Sequence, residues 1–255
     1  MFANRKRWTP AWLLVVIVCV GVFAVMFKYG GEDKKEEPDT KKRKDFSVAT
    51  EQPDMAREGI TVVVDAGHGG IDPGKVGVHD EKEKDINLSM AKKLEEKLTI
   101  QGYKVVMTRT EDKGMYSDGD SNKKMADMRA RIALITETEP KLVVSIHQNS
   151  FTQTSSRGAQ VFYYEKSQEG KILAQTLQET IKSVIGDDNK RQAKANTNYY
   201  MLLHTPCTMV IVECGFLSNP EEATLLSDDS YQDKMTEAIC QGINNYVKSE
   251  DTNGQ

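Results

Sequence analysis

Five continuous apolar runs constrain this chain more than any other feature: ITVVVD (60–65), YKVVMTR (103–109), KLVVSIH (141–147), AQVFYY (159–164) and MVIVEC (209–214). Rich in β-branched residues and without strict polar alternation, they predict strands buried on both faces. NYYML (198–202) is a weaker sixth candidate. Helical periods separate the runs. Ile86, Met90, Leu94 and Leu98 recur every four residues and stop at Gly102, a C-terminal signal. Residues 122–138, 168–185 and 231–248 read as further helices, the last carrying Tyr231, Met235, Ile239 and Ile243. Buried strands alternating with helices, without an internal repeat, predict an α/β domain with a mostly parallel twisted sheet of about six strands flanked by helices.

In an open α/β sheet the carboxyl ends of the strands form the binding crevice. His68 follows the first strand by three residues, His147 ends KLVVSIH, and Glu213 ends MVIVE. The segment HDEKEKD (79–85) returns to that edge to start the first helix, so an acidic residue there reaches the crevice; spacing alone does not choose among Asp80, Glu81, Glu83 and Asp85. Two histidines and a carboxylate with an open fourth position suit catalytic zinc, and a further carboxylate suits a general base, which points to amide or ester hydrolysis. Each residue also has a plainer role. A histidine at a strand end often serves as a hydrogen-bonded structural group, and acids at a helix start complement the macrodipole. Glu213 resists that explanation, because a carboxylate ending a buried run needs a partner or a task.

A phosphate-binding P-loop is the remote rival for VVVDAGHGGIDPGKVG, where Gly69, Gly74 and Lys75 fit G-x-x-x-x-G-K. The match breaks at Val76, where a hydroxyl should hold magnesium, and VGVHDEKEKD delays the helix that should receive the phosphates.

Before the domain, Arg5, Lys6 and Arg7 precede an uncharged apolar run from Ala11 to Phe27. The run predicts a signal anchor over residues 1–28 with the N-terminus in the cytoplasm and the remainder extracytoplasmic. Trp8, Trp12, Lys28 and Tyr29 suit the membrane interface, and no A-x-A-like cleavage site follows the run. Residues 29–58 are charged and aperiodic, a flexible tether, followed by the folded domain (59–249) and a disordered tail (250–255). Cys207, Cys214 and Cys240 are an odd set with no metal or redox spacing, and are expected as small buried hydrophobes. A net charge of -4 gives no basic field for nucleic acid.

Taken in order, VVVDAGHGGIDPG, EKDINLSMAKKL, TR, LVVSIHQNS, GAQVFYY and VIVECGFLSNPEE resemble the zinc-dependent N-acetylmuramoyl-L-alanine amidases of the amidase type 3 family, over residues 59–247. The resemblance implies a phosphorylase/hydrolase-like fold and a peptidoglycan substrate, cut between the lactyl group of N-acetylmuramic acid and L-alanine. It implies Zn2+ held by His68, Glu83 and His147, with Glu213 as the catalytic carboxylate; the EKD motif is what selects Glu83. Ala66 and Gln148 depart from the family's usual proline and alanine, and neither removes a ligand. His79 and His204 match no ligand position and are expected as surface or structural residues, His79 also as a candidate to back a ligand. One anchor, a tether and one catalytic domain, with ECGFLSNPEEATLL near the end, are similar to germination-specific members that help form muramic lactam in the spore cortex. That implies work between the forespore membranes, with an activating protein partner an open question. The rival is a catalytically silent peptidoglycan-binding or regulatory module of the same fold, which would be expected to have lost a ligand or the catalytic acid.

Overall fold

The computed structural model describes residues 57–186 and 189–253. The expected anchor and nearly all of the tether lie outside them, and no helix among the described residues is long and apolar enough to cross a membrane. In chain order the elements are β1 (Thr61–Ala66), α1 (Glu83–Ile100), β2 (Lys104–Met107), α2 (Lys123–Thr138), β3 (Leu142–Asn149), β4 (Gln160–Tyr164), α3 (Gln168–Ile185), β5 (Lys194–Asn196), α4 (Tyr200–His204), β6 (Met209–Phe216), α5 (Pro220–Ser227) and α6 (Asp229–Asn253). The six strands form one sheet in the order β2-β1-β3-β6-β4-β5. All neighbours are parallel except β4 and β6.

Successive strand side chains point to opposite faces, and both faces of this sheet are covered. Val62 and Val64 join a core with Met90 and Leu94 of α1, Leu173 and Leu177 of α3, and Met235 and Ile239 of α6. Val63 points the other way, into a smaller cluster with Ile135 of α2, Leu202 of α4 and Ile211 of β6. Full burial of a side chain of this size contributes roughly 1.5–3 kcal/mol, so the central strands anchor the domain. β6 is buried along its whole length.

Three departures from the sequence expectations have local causes. NYYML is not a strand: the Asn196 side chain accepts the Asn198 and Tyr199 amides, both at 2.7 Å, and turns the chain into α4. The sixth strand is instead the polar edge segment Lys194–Asn196. α5 was not anticipated, although Asn219 caps it by accepting from the Glu221 and Glu222 amides and Pro220 occupies its first turn. α6 runs to Asn253, into the expected tail, with the Tyr246 hydroxyl donating to Glu250 at 2.9 Å. Cys207, Cys214 and Cys240 are free, the last two buried. Burial pushes the Cys240 thiol up to about 12, so it behaves as a small hydrophobe.

Candidate metal centre

Because β1, β3 and β6 are adjacent and parallel, their carboxyl ends meet at one edge, and register places His147 beside Glu213. Beyond β1 the chain turns back at once. Gly67 has no room for a side chain: a Cβ there would lie 2.3 Å from the His147 ring. His68 follows with φ +61, a left-handed conformation uncommon for any residue but glycine. A tight pair of hydrogen bonds between Gly69 and Asp72 closes the turn, and Asp72 Oδ2 lies 2.9 Å from His68 Nδ1. That contact fixes the ring and turns Nε2 toward the crevice. Although burial raises the Asp72 carboxyl, the His68 and Lys124 hydrogen bonds hold it down at about 2.

Glu83 is the first residue of α1 and is 2% exposed. Its Oε2 accepts the Lys75 amide at 2.7 Å, and its Oε1 accepts the Gln148 amide at 3.1 Å. Oε1 also lies 3.1 Å from His68 Nε2 and 2.9 Å from His147 Nδ1. One ligand atom from each of the three residues falls within 4.8 Å of the other two. Two imidazole nitrogens and a carboxylate oxygen converging at the base of a cleft fit zinc in donor type and number. Burial opposes ionisation of Glu83, yet hydrogen bonds and charge from His147 and His68 hold it far below the usual carboxylate range. The same pairing raises His147 against the effect of burial.

Glu213 is 8% exposed, and among the described residues its Oε2 has no hydrogen-bond partner. Burial pushes this carboxyl up to about 7, with His147 opposing and Glu83 reinforcing the rise. A dication beside it would favour the carboxylate. Glu213, His68, Glu83 and His147 line one cleft of about 470 Å³, whose remaining walls include Lys75, Tyr199 and Met128.

The four residues singled out by sequence therefore share one cleft, whereas Asp80, Glu81 and Asp85 line a separate hollow beside Gln232. His79 backs no ligand; it is exposed, with Nε2 3.3 Å from the Pro220 carbonyl oxygen. His204 packs edge-on against Tyr200. The glycine-rich turn is not a phosphate cradle, since the Lys75 amide is committed to Glu83 and a Cβ on Gly74 would meet Glu83 Oε2 at 2.5 Å. Sequence reasoning missed Asp72, whose signal was its place four residues after His68, and Asn87, which donates to the Gly67 carbonyl at 3.1 Å and Glu83 Oε1 at 3.4 Å.

Fold and site together define an α/β protein with a His–Glu–His cluster that could hold a metal at the carboxyl edge of its sheet and a buried carboxylate lining the same cleft. The chain belongs to the N-acetylmuramoyl-L-alanine amidase family, whose profile matches residues 62–245. It is 37% identical over 191 residues to the germination-specific N-acetylmuramoyl-L-alanine amidase of Bacillus subtilis, covering 74% of this chain and 80% of that one. The probable cell wall amidase LytH of Staphylococcus aureus is 31% identical over 196 residues, 75% of this chain and 60% of that protein. Among solved structures, the CwlD amidase from Clostridioides difficile, in complex with the GerS lipoprotein, superposes with a TM-score of 0.73 at 37% identity, over 74% of this chain and 99% of that one.

Proposed function

We propose that this chain is a zinc-dependent N-acetylmuramoyl-L-alanine amidase that acts outside the cytoplasm in spore cortex maturation, held at the membrane by residues 1–28. The observation that carries the reading is the meeting of His68, Glu83 and His147 with the buried carboxylate Glu213 in one cleft. His68, Glu83 and His147 would hold the metal. A zinc ion there would supply polarisation of a carbonyl and a lowered pKa for water.

Asp72 keeps His68 in the tautomer that leaves Nε2 free to coordinate, and the Lys75 and Gln148 amides fix the Glu83 carboxylate. Glu213 accepts the proton of the attacking water as oxygen bonds to the lactyl carbonyl carbon. It then returns that proton to the alanine nitrogen as the carbon–nitrogen bond breaks. The products are a lactyl carboxylate and a stem peptide with a free L-alanine amine. The full ligand set and the acid count against a silent wall-binding module.

The germination role rests on the similarity to the Bacillus subtilis enzyme. A lipoprotein partner is suggested by the CwlD–GerS complex. The test is mass spectrometry of purified peptidoglycan after incubation with the full-length chain and zinc, with Glu213→Gln as control. Stem peptides with a new L-alanine amine, absent from the control, are expected. A zinc-loaded protein that releases none, with or without a candidate lipoprotein, would overturn the assignment.

A further inference from the structure

Arg109, two residues beyond β2, is 6% exposed, and among the described residues its guanidinium hydrogen-bonds only to backbone carbonyls. Nε donates to Ala66 at 2.9 Å, Nη1 to Glu111 at 3.1 Å, and Nη2 to both Gly67 at 3.0 Å and Lys84 at 2.8 Å. Gly67 precedes His68, and Lys84 follows Glu83. A single planar group thus spans the two backbone segments that carry these side chains.

Arg131 of α2, 2% exposed, completes the arrangement. Its Nη1 donates to the Ala66 carbonyl at 2.6 Å and its Nη2 to the His68 carbonyl at 2.5 Å. Asp65 and Asp127 balance its charge, each at 2.7 Å. Three successive carbonyls, of Ala66, Gly67 and His68, therefore face two buried guanidiniums. A buried cation is costly to keep, and Arg109, which forms no direct ion pair among the described residues, has these carbonyl dipoles and the charges of Asp65, Asp112 and Asp127 to offset that cost. The strained φ of His68 needs an external hold of this kind, because a non-glycine residue released from it would relax toward negative φ.

We infer that Arg109 and Arg131 are positioning residues for the metal centre: Arg109 sets the distance between the His68 turn and the start of α1, and Arg131 holds His68 in its left-handed conformation. The inference rests on the metal-centre reading above. Lysine at either position keeps the charge but loses the planar fork that reaches several carbonyls.

The test uses the full-length chain, stripped of metal, as wild type, Arg109→Lys, Arg131→Lys and Ile243→Ala. Ile243 lies in the α6 core and serves as a control for general destabilisation. Zinc affinity is read by competition with a chromogenic chelator, ligand geometry by the visible spectrum of the Co2+ form, and folded fraction by thermal unfolding. Both lysine variants should bind zinc about 10- to 100-fold more weakly, with an altered Co2+ spectrum, while Ile243→Ala keeps wild-type affinity and spectrum. Folded lysine variants with wild-type affinity and spectrum would overturn the inference, as would an equal loss in Ile243→Ala. Should neither lysine variant fold, Arg109→Gln and Arg131→Gln, whose shorter planar amides cannot reach several carbonyls at once, take their place, and a folded one with wild-type zinc affinity and Co2+ spectrum overturns it. A wild-type protein that takes up no zinc overturns the metal-centre reading, and this inference with it.

Discussion

Replacing Asp65 by Asn tests the buried charge network beneath the centre through its dependence on pH. Asp65 is 1% exposed and accepts from Arg131, Thr108 and Ser145. Burial pushes its carboxyl up, but Arg131 and the two hydroxyls outweigh that and lower it from 3.8 to about 2. A folded-state value below the unfolded one stabilises the fold above the unfolded value, and the gain is lost as pH falls through the folded one. At about 1.4 kcal/mol per unit the ionised group contributes ~2.5 kcal/mol at pH 7, of which ~1 kcal/mol is gone by pH 3. Asp65→Asn removes the titrating group and leaves Arg131 with Asp127 alone, so the variant should be less stable by ~2–4 kcal/mol at pH 7. The assay is urea unfolding of both proteins from pH 7 to pH 3 with chelator present, so that metal binding adds no pH dependence of its own. The gap between the two should narrow by ~1 kcal/mol toward pH 3. Curves that stay parallel over that range would refute the depressed carboxyl and the role given to its pairing with Arg131.

Glu213→Gln should retain zinc, measured by metal analysis, while turnover falls about 100- to 10,000-fold; metal loss in this variant would reassign Glu213 as a ligand. His68→Ala should lose the metal, and an active, zinc-loaded variant would remove His68 from the site. Gly67→Ala would place its Cβ 2.3 Å from the His147 ring, so it should destabilise the protein by ~1–3 kcal/mol and weaken zinc binding. Chelation should lower the thermal midpoint of the wild type and leave that of His68→Ala unchanged, as a ligand that binds only the folded state requires.

How far the sequence reveals such a site depends on the distance over which each feature is determined. β1, β3 and β6 were legible because burial on both faces demands unbroken apolar runs, and their parallel order brings His68, His147 and Glu213 to one edge. β5 was not, since a three-residue polar edge strand is defined by its pairing with β4 rather than by its side chains. Spacing left Glu83 one acid among several and only the EKD motif of the resemblance picked it out; the fold supplies the physical reason by bringing the Lys75 and Gln148 amides to its carboxylate, the second from 65 residues away. Arg131 was missed for a related reason. In α2 the fully buried residues are Asp127, Arg131 and Ile135, and two of these three are charged, a type read from sequence as solvent-facing. Its partners at Ala66 and His68 lie more than 60 residues back, beyond any helical or strand period. Local pattern thus supplied the strands, and through them three of the four side chains at the centre. The groups that hold those side chains in place are charges buried against backbone carbonyls, and only the closed sheet brings them together.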